Sequence, residues 1–160
     1  MPETLAETQV RLHLERECAA AFESVLAHVH AGFPQCHVTL LAFDYSDVPN
    51  APFNNVAFKT TLPIPRLVRT AEAILRAWGR REPRMVSLEF LRRVGSPTDR
   101  DDLEAAGAVA RAHLRASVGY SLILGIGEVY QYISAADREG VAEMLRTELL
   151  PHWRNGADSA

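Results

Sequence analysis

Ser117-Val-Gly-Tyr-Ser-Leu-Ile-Leu-Gly-Ile-Gly-Glu-Val-Tyr-Gln-Tyr-Ile-Ser-Ala-Ala-Asp-Arg138 reads as strand, tight turn, strand and capped helix. Tyr120 to Leu124 is apolar enough for a buried strand. Gly125-Ile-Gly127 supplies the turn, because glycine tolerates positive φ. Val129 to Ile133 returns. Ser134-Ala-Ala-Asp137 is a capping box, and Val141, Met144, Leu145 and Leu149 then recur at helical spacing, with Pro151 as the stop.

The same plan recurs upstream. Thr4 to Ala31 reads as one long helix with a stripe of Val10, Leu14, Cys18, Ala21, Val25 and Val29, ended by Gly32 and Pro34. His37 to Phe43 is nearly continuous apolar, which predicts a central strand covered on at least part of both faces. Asp44 to Asn55 is rich in Asp, Asn and Pro and reads as a long loop. Val56 to Thr60 is a short strand. Pro63 and Pro65 open a helix whose stripe is Leu67, Ala71, Ile74, Leu75 and Trp78. Ser96-Pro-Thr-Asp99 starts another helix, through Leu103, Ala106, Ala110 and Leu114. In residues 80–95, Val86, Leu88 and Phe90 alternate like a strand, and Leu88, Leu91 and Arg92-Arg93 fit a helical turn equally well; a short helix is the expectation. Phe58-Lys-Thr60 matches Tyr132-Ile-Ser134, and Ile74-Leu-Arg76 matches Met144-Leu-Arg146. The expectation is one α+β domain over 1–160. It has an antiparallel sheet of about four strands with helices on one face, and the pattern suggests an internal duplication of a helix-strand-strand-helix unit, 4–79 and 96–150.

Gly119-Tyr-Ser-Leu-Ile-Leu124, Tyr132-Ile-Ser-Ala-Ala-Asp-Arg138 and the Met144-Leu-Arg helix resemble a family of small uncharacterised proteins of tailed phages and prophages. In that family a hairpin ends in Tyr-Ile-Ser-Asn-Ala-x-Arg and leads into an amphipathic helix. The resemblance covers about the last third of the chain, and Ala135 stands where the family has asparagine. It implies a phage or bacterial cytoplasmic setting and assigns no activity.

Composition narrows the function. The 160 residues carry a net charge of -3, which argues against general affinity for nucleic acid or anionic membranes. The basic set Arg80, Arg81, Arg84, Arg92, Arg93 and Arg100 is diluted by Glu82 and Glu89 and lacks interleaved aromatics. Two cysteines, Cys18 and Cys36, make no disulfide framework, and the N-terminus shows no leader pattern. No apolar run is long enough for a membrane span. The cytoplasm is the expected compartment.

Two strand-to-helix junctions are the candidate sites. A helix start offers free N–H groups and the positive end of the dipole to an anion. Ser134 and Arg138, with Tyr132 to stack on a ring, form one; the alternative is that Ser134 and Asp137 merely cap the helix. Lys59, Thr60, Thr61 and Arg66 form the other, with no acid among them. The spacing of His28, His30, Cys36 and His37 matches no common zinc pattern, and Gly125-x-Gly127 lacks the lysine of a phosphate loop, so no metal or cofactor is expected. The leading expectation is a non-enzymatic accessory protein that binds a partner protein or a small anionic, nucleotide-like ligand, with self-association into a homo-oligomer compatible. The alternative is an enzyme on a phosphorylated or nucleotide substrate. It would use the 44–55 loop as a lid and Asp44 and Asp47 as acid–base groups.

Overall fold

His37–Asp44 (β1) and Gly119–Ile126 (β3) lie side by side and antiparallel at the centre of a four-stranded sheet, flanked by Asn55–Thr60 (β2) and Val129–Ser134 (β4) in the order β2-β1-β3-β4. The coordinates are a computed structural model that describes residues 4–44, 55–79, 96–114, 119–134 and 138–159. The helices are Leu5–Gly32 (α1), Ile64–Trp78 (α2), Pro97–Ala112 (α3), Arg138–Met144 (α4) and Leu150–Ser159 (α5), with a π-helical turn at Leu145–Leu149 joining the last two. The fold is α+β with an open antiparallel sheet. The expected short helix within 80–95 lies outside the described residues.

Side chains on a strand alternate between faces, and both faces of the two central strands are apolar. Val38, Leu40 and Ala42 of β1 join Tyr120, Leu122 and Leu124 of β3 in a core under α1 and α3. Leu41, Phe43 and Ile123 point the other way, into a core made with α2, α4 and α5. Helices therefore cover both faces of the sheet. This corrects the expectation of helices on one face only. The unbroken apolar run of β1 already requires cover on each side, since Leu41 and Phe43 would otherwise face water.

The helical stripes read from the sequence face these cores. Leu14, Cys18, Ala21, Val25 and Val29 of α1 are buried in the first core, and Leu67, Ala71, Ile74 and Trp78 of α2 in the second. The Ser96 hydroxyl caps α3, accepting from the Asp99 N–H at 3.1 Å. The turn is shorter than expected. Gly125 and Ile126 stay in β3, and only Gly127 has positive φ, at 58°. Gly125 serves a different purpose: a Cβ there would sit 2.8 Å from the Tyr130 ring, so its bare Cα lets that ring lie across the strand.

Pro151 does not end the chain's helical structure. The Leu150 N–H donates to the Leu145 carbonyl, five residues back, and α5 runs on to Ser159. Proline lacks an N–H and its ring crowds the preceding turn; widening that turn to a π-helix removes the conflict. The extension matters because it buries Trp153, only 1 % exposed.

The two hairpins have strands of equal length. β1 and β3 have eight residues each, β2 and β4 six. Thr39 faces Thr60 in one hairpin and Ser121 faces Ser134 in the other. The halves also interlock. Trp78 of the first packs edge-on to Tyr132 of the second, with ring centroids 4.9 Å apart, and Trp153 of the second packs edge-on to Phe58 of the first at 5.5 Å. On the opposite face, the C-terminal parts of α1 and α3 meet where the His28 and His113 rings stack at 3.5 Å.

Candidate functional site

The two strand-to-helix junctions end the two outer strands of the sheet, β2 and β4, with β1 and β3 between them. Leu41 and Ile123 fill the space between and are buried under the helices.

Within the first junction the side chains diverge. Lys59 and Thr60 are neighbours on a strand and so point to opposite faces: Lys59 is exposed on the α1 side, across from Leu40. The Thr60 hydroxyl hydrogen-bonds that of Thr39 and accepts from the Leu62 N–H at 2.9 Å. The Thr61 hydroxyl accepts from the Val38 N–H at 2.9 Å. Arg66 reaches across to the β3–β4 hairpin, where Nε donates to the Tyr130 hydroxyl at 2.8 Å and Nη2 to the Gly127 carbonyl. Its donors tie α2 to the other half of the molecule.

In the second junction, the Tyr132 hydroxyl lies 3.0 Å from Ser121 Oγ, beneath Trp78. Ser134 is placed by its backbone pairing to Ser121. The side chains of Ser134 and Arg138 lie outside the described residues. So do the side chain of Asp44, all of Asp47, and the arginines from 80 to 93.

His28 Nδ1 lies 2.6 Å from the Ser24 carbonyl, His30 Nε2 2.8 Å from the Cys36 carbonyl and His37 Nδ1 3.0 Å from the Thr61 carbonyl. Each ring is held by a different backbone oxygen. Among the described residues no group of three or more His, Cys, Asp or Glu could hold a metal ion.

Both thiols are buried and free, and burial pushes each from 9.0 up to about 11. A nucleophilic cysteine needs the thiolate, so neither is poised for that chemistry. In the native protein at pH 8, Ellman's reagent is expected to titrate neither thiol on the timescale in which it titrates both in guanidinium. The folded state also keeps protons that the unfolded thiols release above 9. The stability this gives is complete below pH 9 and is lost as pH rises from 9 through 11. Urea melts should show that alkaline decline, and Cys36→Ala should shallow it.

A different feature stands open. Leu12, Glu15, Arg16 and Ala19 of α1 and Val56, Ala57, Phe58 and Lys59 of β2 line a groove of about 500 Å³ along an outer edge of the sheet. Leu12 is 41 % exposed, and with Leu5, at 75 %, it is one of the two exposed large apolar residues among those described. They lie seven residues apart, which places them on one helix face. β2 has a hydrogen-bonded neighbour on one side only among the described residues.

At the other outer strand, Gly107 brings α3 against β4: a Cβ there would come within 2.3 Å of the Gln131 side-chain amide. The Gln131 amide, in its satisfied orientation, donates to the Leu103 carbonyl at 3.0 Å and accepts from Arg111 at 3.2 Å. Lys59, fifth residue of β2, holds the place that Ile133 holds in β4.

Sequence reading missed this groove. Its one signal was that Leu5 and Leu12 fall outside the buried stripe of α1. No protein-family model, curated protein or solved structure matches the chain.

Proposed function

We propose that this chain is a non-enzymatic accessory protein, of phage or bacterial origin, that works by binding another protein in the groove between α1 and β2. The observation that carries this reading is the groove between α1 and the outer strand β2, lined by the exposed Leu12 and by Lys59. An exposed apolar residue beside a sheet edge that has no second neighbour among the described residues invites association with a partner that covers it. The origin rests on the resemblance of the last third of the chain to the phage family.

The anion-binding expectation moves with the side chains. Arg66 is engaged by the hairpin, whereas Lys59 faces the groove, so the groove is where anionic groups of a partner would meet a cation.

Placing a photo-cross-linking phenylalanine at position 12, and in a second variant at position 104 on the exposed side of α3, tests the reading. A partner identified from cells should attach at 12 and not at 104, and the purified pair should form a complex that Leu12→Asp abolishes. A second copy of this chain recovered at 12 would make the partner the protein itself. Equal labelling at both positions, or none, would count against the groove.

A further inference from the structure

The charges of the groove specify its occupant. Arg11 and Glu15 pair at 3.0 Å along α1, which neutralises the groove's one carboxylate. Arg16 and Lys59 have no anionic partner among the described residues, and both border the cavity. A chain of net charge -3 thus presents, beside Leu12 and Ala19, two cations with no anionic partner among the described residues. A surface of this kind attracts carboxylates and repels cationic segments.

The backbone specifies the occupant's conformation. Among the described residues β2 is hydrogen-bonded on the β1 side only, and a strand added along its outer edge would project alternate side chains towards α1.

Resting on the protein-binding reading above, we infer that the partner segment is an acidic, apolar β-strand. It extends the sheet at β2, with carboxylates to Arg16 and Lys59 and an aliphatic side chain between them on Leu12. Pairing is in part electrostatic, so it weakens as salt rises.

Fluorescent heptapeptides and the full chain test this. The first probe is Thr-Glu-Val-Leu-Val-Glu-Thr, which puts two glutamates and the leucine on one strand face. The second exchanges both glutamates for lysine. The third exchanges the leucine for proline, removing a central N–H. The glutamate peptide should bind at least tenfold more tightly than either control. Lys59→Glu should cost it tenfold or more and should improve the lysine peptide. Hydrogen exchange of the β2 amides should slow on binding. Lys59 is exposed, so a thermal melt should confirm that its variant folds.

Equal binding of the glutamate and lysine peptides would overturn the acidic character of the partner while leaving the groove in use. Binding by the proline peptide at full strength, with β2 exchange unchanged, would overturn strand addition. Failure of every peptide, where the position-12 cross-link nonetheless yields a partner, would overturn the inference alone. Failure of both would remove the protein-binding reading with it.

Discussion

Trp153→Ala is expected to destabilise the protein by about 3–5 kcal/mol, the usual cost of emptying a buried aromatic site. For a chain of this length that lowers the melting temperature by roughly 10 °C, since each kcal/mol shifts a domain of 150–250 residues by about 2–4 °C. Trp153 is 1 % exposed and packs edge-on to Phe58. Its loss empties the second core and frees α5 from β2. α5 is otherwise tied to α2 by the Arg154–Glu72 ion pair at 2.6 Å, which is exposed on the arginine side, and exposed pairs contribute little. Trp153 Nε1 is buried without a hydrogen-bond partner among the described residues. Phenylalanine removes that unsatisfied donor while keeping most of the apolar area. Trp153→Phe should therefore cost less than about half of what alanine costs. Chemical denaturation of the three proteins decides it. Equal losses for Phe and Ala would mean that the indole nitrogen is satisfied in solution.

Gly107→Val is expected to have the next largest effect. The new Cβ would stand 2.3 Å from the Gln131 side-chain amide, and both residues are buried. α3 must rise off β4, or Gln131 must abandon its bonds to Leu103 and Arg111. Overpacking of this kind costs about 1–3 kcal/mol, and leaving a buried amide unpaired adds about 1–3 kcal/mol more. Combining it with Gln131→Ala makes room for the valine, so the double variant should be more stable than the two single losses added together predict. Strict additivity in the urea melts would show that the two residues do not share this contact.

Much of the fold was legible because apolar spacing reports burial. The stripes of α1, α2 and α3, the two hairpins and the Ser96 cap are all local patterns. Four features were not. Pro151 reads as a stop because it breaks an α-helical ladder, and nothing in Leu145–Leu149 announces that the preceding turn will widen to accept it. Helices were expected on one face although the apolar run of β1 pointed to cover on each side; alternation sets Leu40 on one face and Leu41 and Phe43 on the other. The first junction was assembled from residues close in sequence. Strand alternation already separates Lys59 from Thr60, and the bonds of Arg66 to Tyr130 and Gly127 join positions far apart in the chain. The groove brings together residues of α1 and β2 that lie far apart in sequence, a juxtaposition set by packing and not by local pattern.

The pairing of β1 with β3 has a consequence during synthesis. His37 is bonded opposite Gly125 and Phe43 opposite Gly119, so the centre of the sheet joins segments that leave the ribosome far apart in time. Translation proceeds at about 5–20 residues per second. For several seconds the nascent chain therefore carries β1 with one bare edge and its apolar faces short of their cover. Pairing across so long a stretch of chain is also slow. The emerging first half is thus a natural client for a chaperone that recognises extended apolar segments, and slowing translation would lengthen its exposure.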